Sequence, residues 1–491
     1  MKLVVLIPSA AYAESAGVRI RYARLVCPLG PLGIELETIS IDSFDPNTAV
    51  CDGAILSKCH DARALVIAAL LSRRAIPVGV DLFDDYFSQS DDSRLGRFRS
   101  WFTQAMQFVS FVLCSTEVMA KVVRTYAPGV PLHILSDPAP EFDEGVLSDD
   151  LARKLSAFQS DGVLRVCWFG IGDNPYFPVG LSDLLSFSSE LRSLVSDGVP
   201  IEFTVLTNAR ALDASGLARI ARLPIPATVE QWSLEREAQL LHRSMLAFLP
   251  VNAQPFSRAK SLNRAVTALT SGCQVLSAGY PLYAPLDSFI YRDSGNFLRD
   301  LSCANLKLSK STVRHLSLKL EEIASPEREA RSLAQFLGEV RSSARRVHSS
   351  EAIYVLHGFG TNPSVNDLLK KGAGISVRSP FCAGPIDCEV LVNLTASGEP
   401  TFLVSDNARS RLSGSRRKEA ASKQRIGGRK FWRIAPDDGS VPDEATISPS
   451  LALQVARYGA VMRRLVEMLP RLFGPGQTII SENSPLPVEV R

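Results

Sequence analysis

Short apolar runs alternate with helix-spaced stretches through the opening of the chain. KLVVLIP, ELETISI, GAILS, PVGVDLF, FVLCS and LHILS read as strands, and the first buried strand is Leu3–Ile7. Between them, RIRYARLVCPLG, DARALVIAALLSRR, RFRSWFTQAMQF and EVMAKVVRTYA carry apolar residues at helical spacing. Such alternation predicts a parallel sheet covered by helices, here over residues 1–140. The acidic stretch SDPAPEFDEGVLSDD, residues 136–150, lacks a period and reads as a linker.

The alternation then restarts over 150–345. LRVCWFG, IEFTVLT, MLAFLPV and QVLSAG are strand-like; LSDLLSFSSELRSLVSDG, EREAQLLHRS and AKSLNRAVTALTSG are helix-like. A helix, SPEREARSLAQFLGEVRSSARRVHSS, ends the unit. Two doubly wound α/β domains would leave a cleft between the carboxyl ends of their strands, where such sheets bind ligands. Residues 351–491 differ. AIYVLHG, GISVRS, CEVLVNL, TFLVS and KFWRIA suggest strands without long helices between them, and one helix follows from about Pro449. That helix carries Leu451, Val455, Tyr458, Met462, Leu465 and Leu469 on one stripe. We read this region as an accessory α+β appendage.

A length of 491 residues suits two or three domains, and 46% hydrophobic with 21% charged residues is ordinary for a globular chain. A net charge of +3 gives no ground for nucleic-acid binding. Nine cysteines without a CxxC spacing read as reduced thiols, and Cys382 and Cys388 lack the histidines a zinc site would add. The start MKLVVLIPSAAYA imitates a signal peptide, but its apolar run is short and broken by Pro8. We therefore expect a cytoplasmic protein. The segment Arg409 to Arg433 holds ten basic residues and one acid, beside Phe431 and Trp432. It reads as a solvated loop, or as a surface for an anionic lipid or polysaccharide.

Candidate chemistry gathers at residues 259–272. Lys260, Ser261, Asn263 and Arg264 crowd a helix start, where the macrodipole disfavours positive charge. Either an anion sits there or the end is simply solvated. Lys260 and Arg264 are one turn apart, which would project them from one side. Gly170 and Gly172, ahead of Asn174, would let backbone amides approach a ligand; a plain strand-to-helix turn explains them as well. Asp84 and Asp85 follow a strand, and either a general base or a loop-ordering carboxylate fits them. His60 and Asp61 are a second choice. Tyr283 suits a cleft wall or a core.

In layout and motifs, residues 1–340 resemble glycosyltransferases of the GT-B fold, particularly the bacterial group that includes family four. SAGVRIRYARLVCPLGPLGIELETISI is similar to their first loop and helix, and IPVGVDLFDDYF to their strand with an acidic loop. CSTEVMAKVV, VCWFGIGDNPYFPVGLSDLL and KSLNRAVTALTSGCQVLSAGYPLY follow in the matching order. The resemblance implies an N-terminal acceptor domain and a C-terminal nucleotide-sugar domain. It places Ser15, Gly17 and Arg19 on a loop facing donor phosphates and acceptor. Arg258, Lys260, Ser261 and Arg264 would stabilise the leaving phosphate, with no metal required. Two departures stand out. The paired helix glutamates of family four fall at Ala259 and Thr267, and the basic pair after the domain's first strand is replaced by Asn174.

The implied activity is transfer of a sugar from a nucleotide sugar to a glycan, lipid-linked glycan or protein, in bacterial surface polysaccharide or glycoconjugate biosynthesis. The nucleotide sugar is a co-substrate, and no further cofactor is expected. Residues 351–491 would supply a peripheral membrane or partner-protein contact at the inner face of the membrane. The alternative is a non-catalytic GT-B-like binding module.

Overall fold

The computed structural model describes residues 1–343 apart from 47, 90, 91 and 197, together with seven strands further along. The first sheet comprises β1 (Lys2–Ile7), β2 (Glu35–Ser40), β3 (Gly53–Ser57), β4 (Val78–Leu82), β5 (Phe111–Cys114) and β6 (Leu132–Ile134). Its order is β2-β1-β3-β4-β5-β6, parallel throughout. β3, β4 and β5 are buried at every residue, as strands covered on both faces must be. Helices Ala62–Arg73, Gly96–Ala105 and Glu117–Tyr126 cover one face, through Leu65, Ala68, Phe102, Met119 and Val123. Asp61 and Thr116 cap two of them, accepting from the amides of Ala64 and Met119.

The other face is covered from both ends of the chain. Tyr22, Leu25 and Leu29 lie on it beside Ala330, Leu333, Leu337 and Val340 of the helix Pro326–Ser343. That helix follows the second domain in sequence but packs on the first.

The second sheet comprises β7 (Leu164–Gly170), β8 (Ile201–Thr207), β9 (Ala227–Gln231), β10 (Leu246–Phe248), β11 (Gln274–Leu276) and β12 (Ile290–Tyr291). Its parallel order, β12-β11-β10-β7-β8-β9, is the 3-2-1-4-5-6 order of dinucleotide-binding folds. The order reverses between β7 and β10, so the crevice lies where these two strands end. The two Rossmann-like domains face each other with their carboxyl edges, the GT-B arrangement.

Two chain crossings join the domains, and the amide of Ala139 on the first donates to the carbonyl of Ala324 on the second at 2.8 Å. The stretch read as a linker is helical in its second half. A helix spans Glu144–Asp161, with Asp143 capping it by accepting from the Val146 amide at 2.8 Å. Its acidic start, which reads as linker composition, is what the macrodipole favours there.

Beyond residue 343, β13 (Ala352–His357), β14 (Gly374–Val377), β15 (Val390–Leu394), β16 (Pro400–Ser405), β17 (Ser422–Ile426), β18 (Arg429–Ile434) and β19 (Gly476–Ile480) form a third sheet. Its order is β17-β18-β16-β15-β14-β13-β19, antiparallel except for the β13–β19 pair. The expected strands of this region are present, and β17 and β19 are additional. β17 and β18 occupy part of the basic segment read as a solvated loop. The helix expected from Pro449, and Cys382 and Cys388, lie outside the described residues. Among those residues, no helix is long and apolar enough to cross a membrane.

Candidate functional site

The strand ends that face each other carry the polar residues of interest. Lys58 follows β3, Asp84 follows β4, and Lys260 lies in the turn between the helices Pro255–Arg258 and Asn263–Thr270. Both ammonium groups pair with Asp84, Lys58 on Oδ2 and Lys260 on Oδ1. Burial alone would raise the Asp84 carboxyl, but Lys260 and Lys58 together pull it down to about 2. A carboxylate held between two cations is a poor proton acceptor at neutral pH. The base role raised for Asp84 is therefore not supported in this arrangement.

Asp85 is a loop-ordering residue. It accepts from the amides of Phe87 and Ser88 at 3.0 and 2.9 Å and from the Ser88 hydroxyl, and it is buried. Its lone pairs face its own loop, which removes it as a base toward an acceptor. Asp61 is likewise a helix cap, and His60 is held neutral. Burial and then Lys58 push His60 down to about 3, and its ring meets Phe98 and Trp101 edge-on.

The polar head of the 259–272 stretch does meet anions, and they belong to the protein. Ser261 Oγ donates to Asp137 Oδ2 at 2.6 Å and Asn263 Nδ2 donates to the same oxygen at 3.1 Å. Asp137 Oδ1 accepts from Arg21 Nη1 at 3.1 Å. Arg21 is buried and forks onto Asp81 at 2.5 and 2.7 Å, while Tyr22 also donates to Asp81. The Asp81–Arg21–Asp137 chain thus runs from the first sheet to the head of the second domain's helix. Bidentate geometry and the extra donors offset the cost of burying these charges.

Lys260 and Arg264 do not project together. The helix starts at Asn263, so Lys260 and Ser261 precede it, and Lys260 turns toward the first domain. Arg264 points to the second sheet's switch point, donating to Phe169 O at 2.5 Å with its guanidinium 5.2 Å from the Trp168 ring centre. Gly170 makes room for it. The glycine adopts φ +142°, and a Cβ there would lie 3.1 Å from Arg264 Cζ. Arg264 Nε is buried and has no partner within the protein. Nearby, Asp183 accepts from the Gly180 amide at 3.0 Å and from Asn252 Nδ2 at 2.6 Å. Burial pushes its carboxyl up to about 6, against the pull of those donors and of Arg264.

Other candidates take structural roles. The amide of Gly172 donates to Asn208 Oδ1 at 2.9 Å, and a Cβ at Gly172 would meet Thr207 Oγ1 at 2.5 Å, so that amide is not free for a phosphate. Asn174 accepts from the amides of Tyr176 and Phe177, ordering the loop rather than replacing a cation. Tyr283 is a core aromatic, not a cleft wall. Arg258 is exposed, 5.4 Å above the Tyr280 ring. Ser15 starts a helical turn, its carbonyl accepting from Val18 and Arg19. Gly17 lets the Phe83 ring approach, and Arg19 reaches across to Trp232 of the second domain at 5.4 Å.

The loop that Asn174 orders closes one side of the cleft. Phe177 stacks on Phe256 at 4.3 Å, and Tyr86 of the first domain touches both and stacks on Phe98 at 4.6 Å. Arg97 donates to the Tyr176 hydroxyl at 2.6 Å, and Thr116 to the Ala259 carbonyl at 3.1 Å. Aromatic pairs of this kind hold the domains together.

Lys58, Arg21, Asp81 and Asp137 escape a reading of sequence alone. Asp81 carries the one legible signal, an acid within an otherwise apolar strand; Arg21 hides in a helical pattern and Asp137 in a linker.

No protein-family model matches this chain, and no curated protein matches it. Solved structures do resemble it. Sucrose-phosphate synthase from Thermosynechococcus elongatus is 10% identical over 70% of this chain and all of that one, with a TM-score of 0.49. HepE of Anabaena, in complex with UDP-glucose, is 12% identical over 69% of this chain and 100% of its own, with a TM-score of 0.47. A UDP-forming trehalose-phosphate synthase from Burkholderia vietnamiensis is 11% identical over 59% of this chain and 72% of its own, at 0.43. Fold and site are both read from this chain's own geometry.

Proposed function

We propose that this chain is a GT-B glycosyltransferase that takes a sugar from a nucleotide sugar and passes it to a glycan, lipid-linked glycan or protein. The observation that carries the reading is the meeting of Lys58 and Lys260, one from each domain, at the cleft between the two carboxyl edges. Breaking the bond from sugar to phosphate leaves negative charge on the phosphate. Cations fixed beforehand at that place stabilise the charge as it develops, without help from a metal. Arg264, with its free Nε at the β7–β10 switch point, suits the nucleotide side of the same crevice. The ribose is then held without the glutamates that Ala259 and Thr267 replace. The work is done in the cytoplasm, in polysaccharide or glycoconjugate synthesis, with 351–491 as the contact to membrane or partner.

A second reading is a binding module that has given up catalysis. Asp137 on Ser261 and Asn263, and the aromatic closure through Tyr86, Phe177 and Phe256, favour it. The discriminating experiment is incubation of the full chain with a panel of nucleotide sugars and assay of the released nucleotide. Release from one donor supports the transferase. Binding of a nucleotide without release from any donor supports the module.

A further inference from the structure

We propose that Asp84 stands in for an anionic ligand, a diphosphate group, in a clamp formed by Lys58 and Lys260. The inference deepens the proposed function and rests on it only for the nucleotide that would carry the diphosphate.

Two ammonium groups converge on one carboxylate, each on its own oxygen, so the cluster keeps a net positive charge. Aromatic faces hold the cations without neutralising them. Lys58 Nζ lies 4.4 Å from the Phe83 ring centre and 5.2 Å from that of Tyr86, and Lys260 Nζ lies 4.2 Å from that of Phe256. Lys58 also has φ +58°, a left-handed backbone that a lysine adopts only at a cost. Glycine or asparagine would fit this turn more easily, so the position keeps its ammonium against the preference of its backbone.

The clamp spans the cleft. Lys58 and Asp84 lie on the first domain and Lys260 on the second, so Asp84 already makes the contact that an incoming anion would make. A diphosphate carries more charge than a carboxylate and offers oxygens to both lysines, so it displaces Asp84 while keeping the domains together. Anion binding and closure become one event, with Asp84 as internal competitor.

The experiment is calorimetric titration of the full chain at low salt with inorganic pyrophosphate, and with inorganic phosphate for comparison. Wild type should bind pyrophosphate more tightly than phosphate. Asp84→Asn should bind it at least tenfold more tightly, since the competitor is gone. Lys58→Asn, which suits the left-handed backbone, should bind at least tenfold more weakly, and Lys58→Arg should recover most of the loss. Lys58→Gly repeats the test should the asparagine variant not fold. Pyrophosphate affinity unchanged by Asp84→Asn or by Lys58→Asn overturns the clamp, as does no binding by either wild type or Asp84→Asn. The outcomes also separate the two inferences. Nucleotide binding that ignores Lys58→Asn overturns the clamp and leaves the transferase. Pyrophosphate binding that needs Lys58, with no nucleotide bound, keeps the clamp and removes the transferase.

Discussion

The ammonium of Lys260 pairs with the carboxylate of Asp84 across the cleft, 176 positions away in the chain. The pair makes stability depend on acid. Asp84 titrates near 2 in the folded protein and near 3.8 when unfolded, so its contribution is present above pH 4 and lost as pH falls toward 2. A shift of this size is worth about 2 kcal/mol. Urea unfolding should find Asp84→Asn less stable than wild type by that order at neutral pH, with the gap closing between pH 4 and pH 2.

His60 adds a second acid dependence at higher pH. It is held near 3 when folded and relaxes to 6.5 when unfolded, so the unfolded chain binds the extra proton. Its contribution is full above pH 6.5 and declines as pH falls through that window, by up to ~1.4 kcal/mol per pH unit. His60→Phe, which keeps a ring against Phe98 and Trp101, should flatten the stability curve between pH 6.5 and 4. An unchanged slope would show that His60 is not buried neutral.

The Arg21–Asp81 fork predicts an asymmetry between single and double variants. Arg21→Leu leaves Asp81 buried with its main partner removed, and should cost ~3–5 kcal/mol. Arg21→Leu with Asp81→Leu should cost clearly less, because the fully buried Asp81 charge is removed with its partner and Asp137 keeps its donors Ser261 and Asn263. Denaturant midpoints of the two proteins give the comparison.

Much of this architecture is legible in the sequence, and the exceptions have physical causes. β1, β3, β4, β5, β7 and β8 stand out as apolar runs because both faces of their sheets are covered. β9 and β12 do not: ATVEQ is half-exposed and carries little apolar content, and two residues are too few to make a run. The helix from Glu144 reads as linker because its favoured first turn is acidic. In the site, Lys260, Ser261, Asn263, Arg264 and Asp84 are visible as polar residues at element ends. Their partners are not: no local pattern tells Lys260 to meet Asp84, or Ser261 to meet Asp137, since those contacts are made by the packing of one domain on the other.

Gly170 ties the backbone to the site. At φ +142°, with a Cβ 3.1 Å from the Arg264 guanidinium carbon, Gly170→Ala is strained and pushes that group aside. The expected cost is ~1–2 kcal/mol in stability. Because Arg264 is displaced, nucleotide affinity should fall at least tenfold. A variant that loses stability but binds as wild type would exclude Arg264 from the site.

The role of the cleft lysine in nucleotide binding is open to a single measurement. Thermal unfolding of the full chain in the presence of UDP, GDP, TDP, ADP or CMP should show one nucleotide that raises the midpoint, and Lys260→Ala should lose most of that rise. No stabilisation by any of the five at millimolar concentration, or a rise that Lys260→Ala leaves intact, would contradict it.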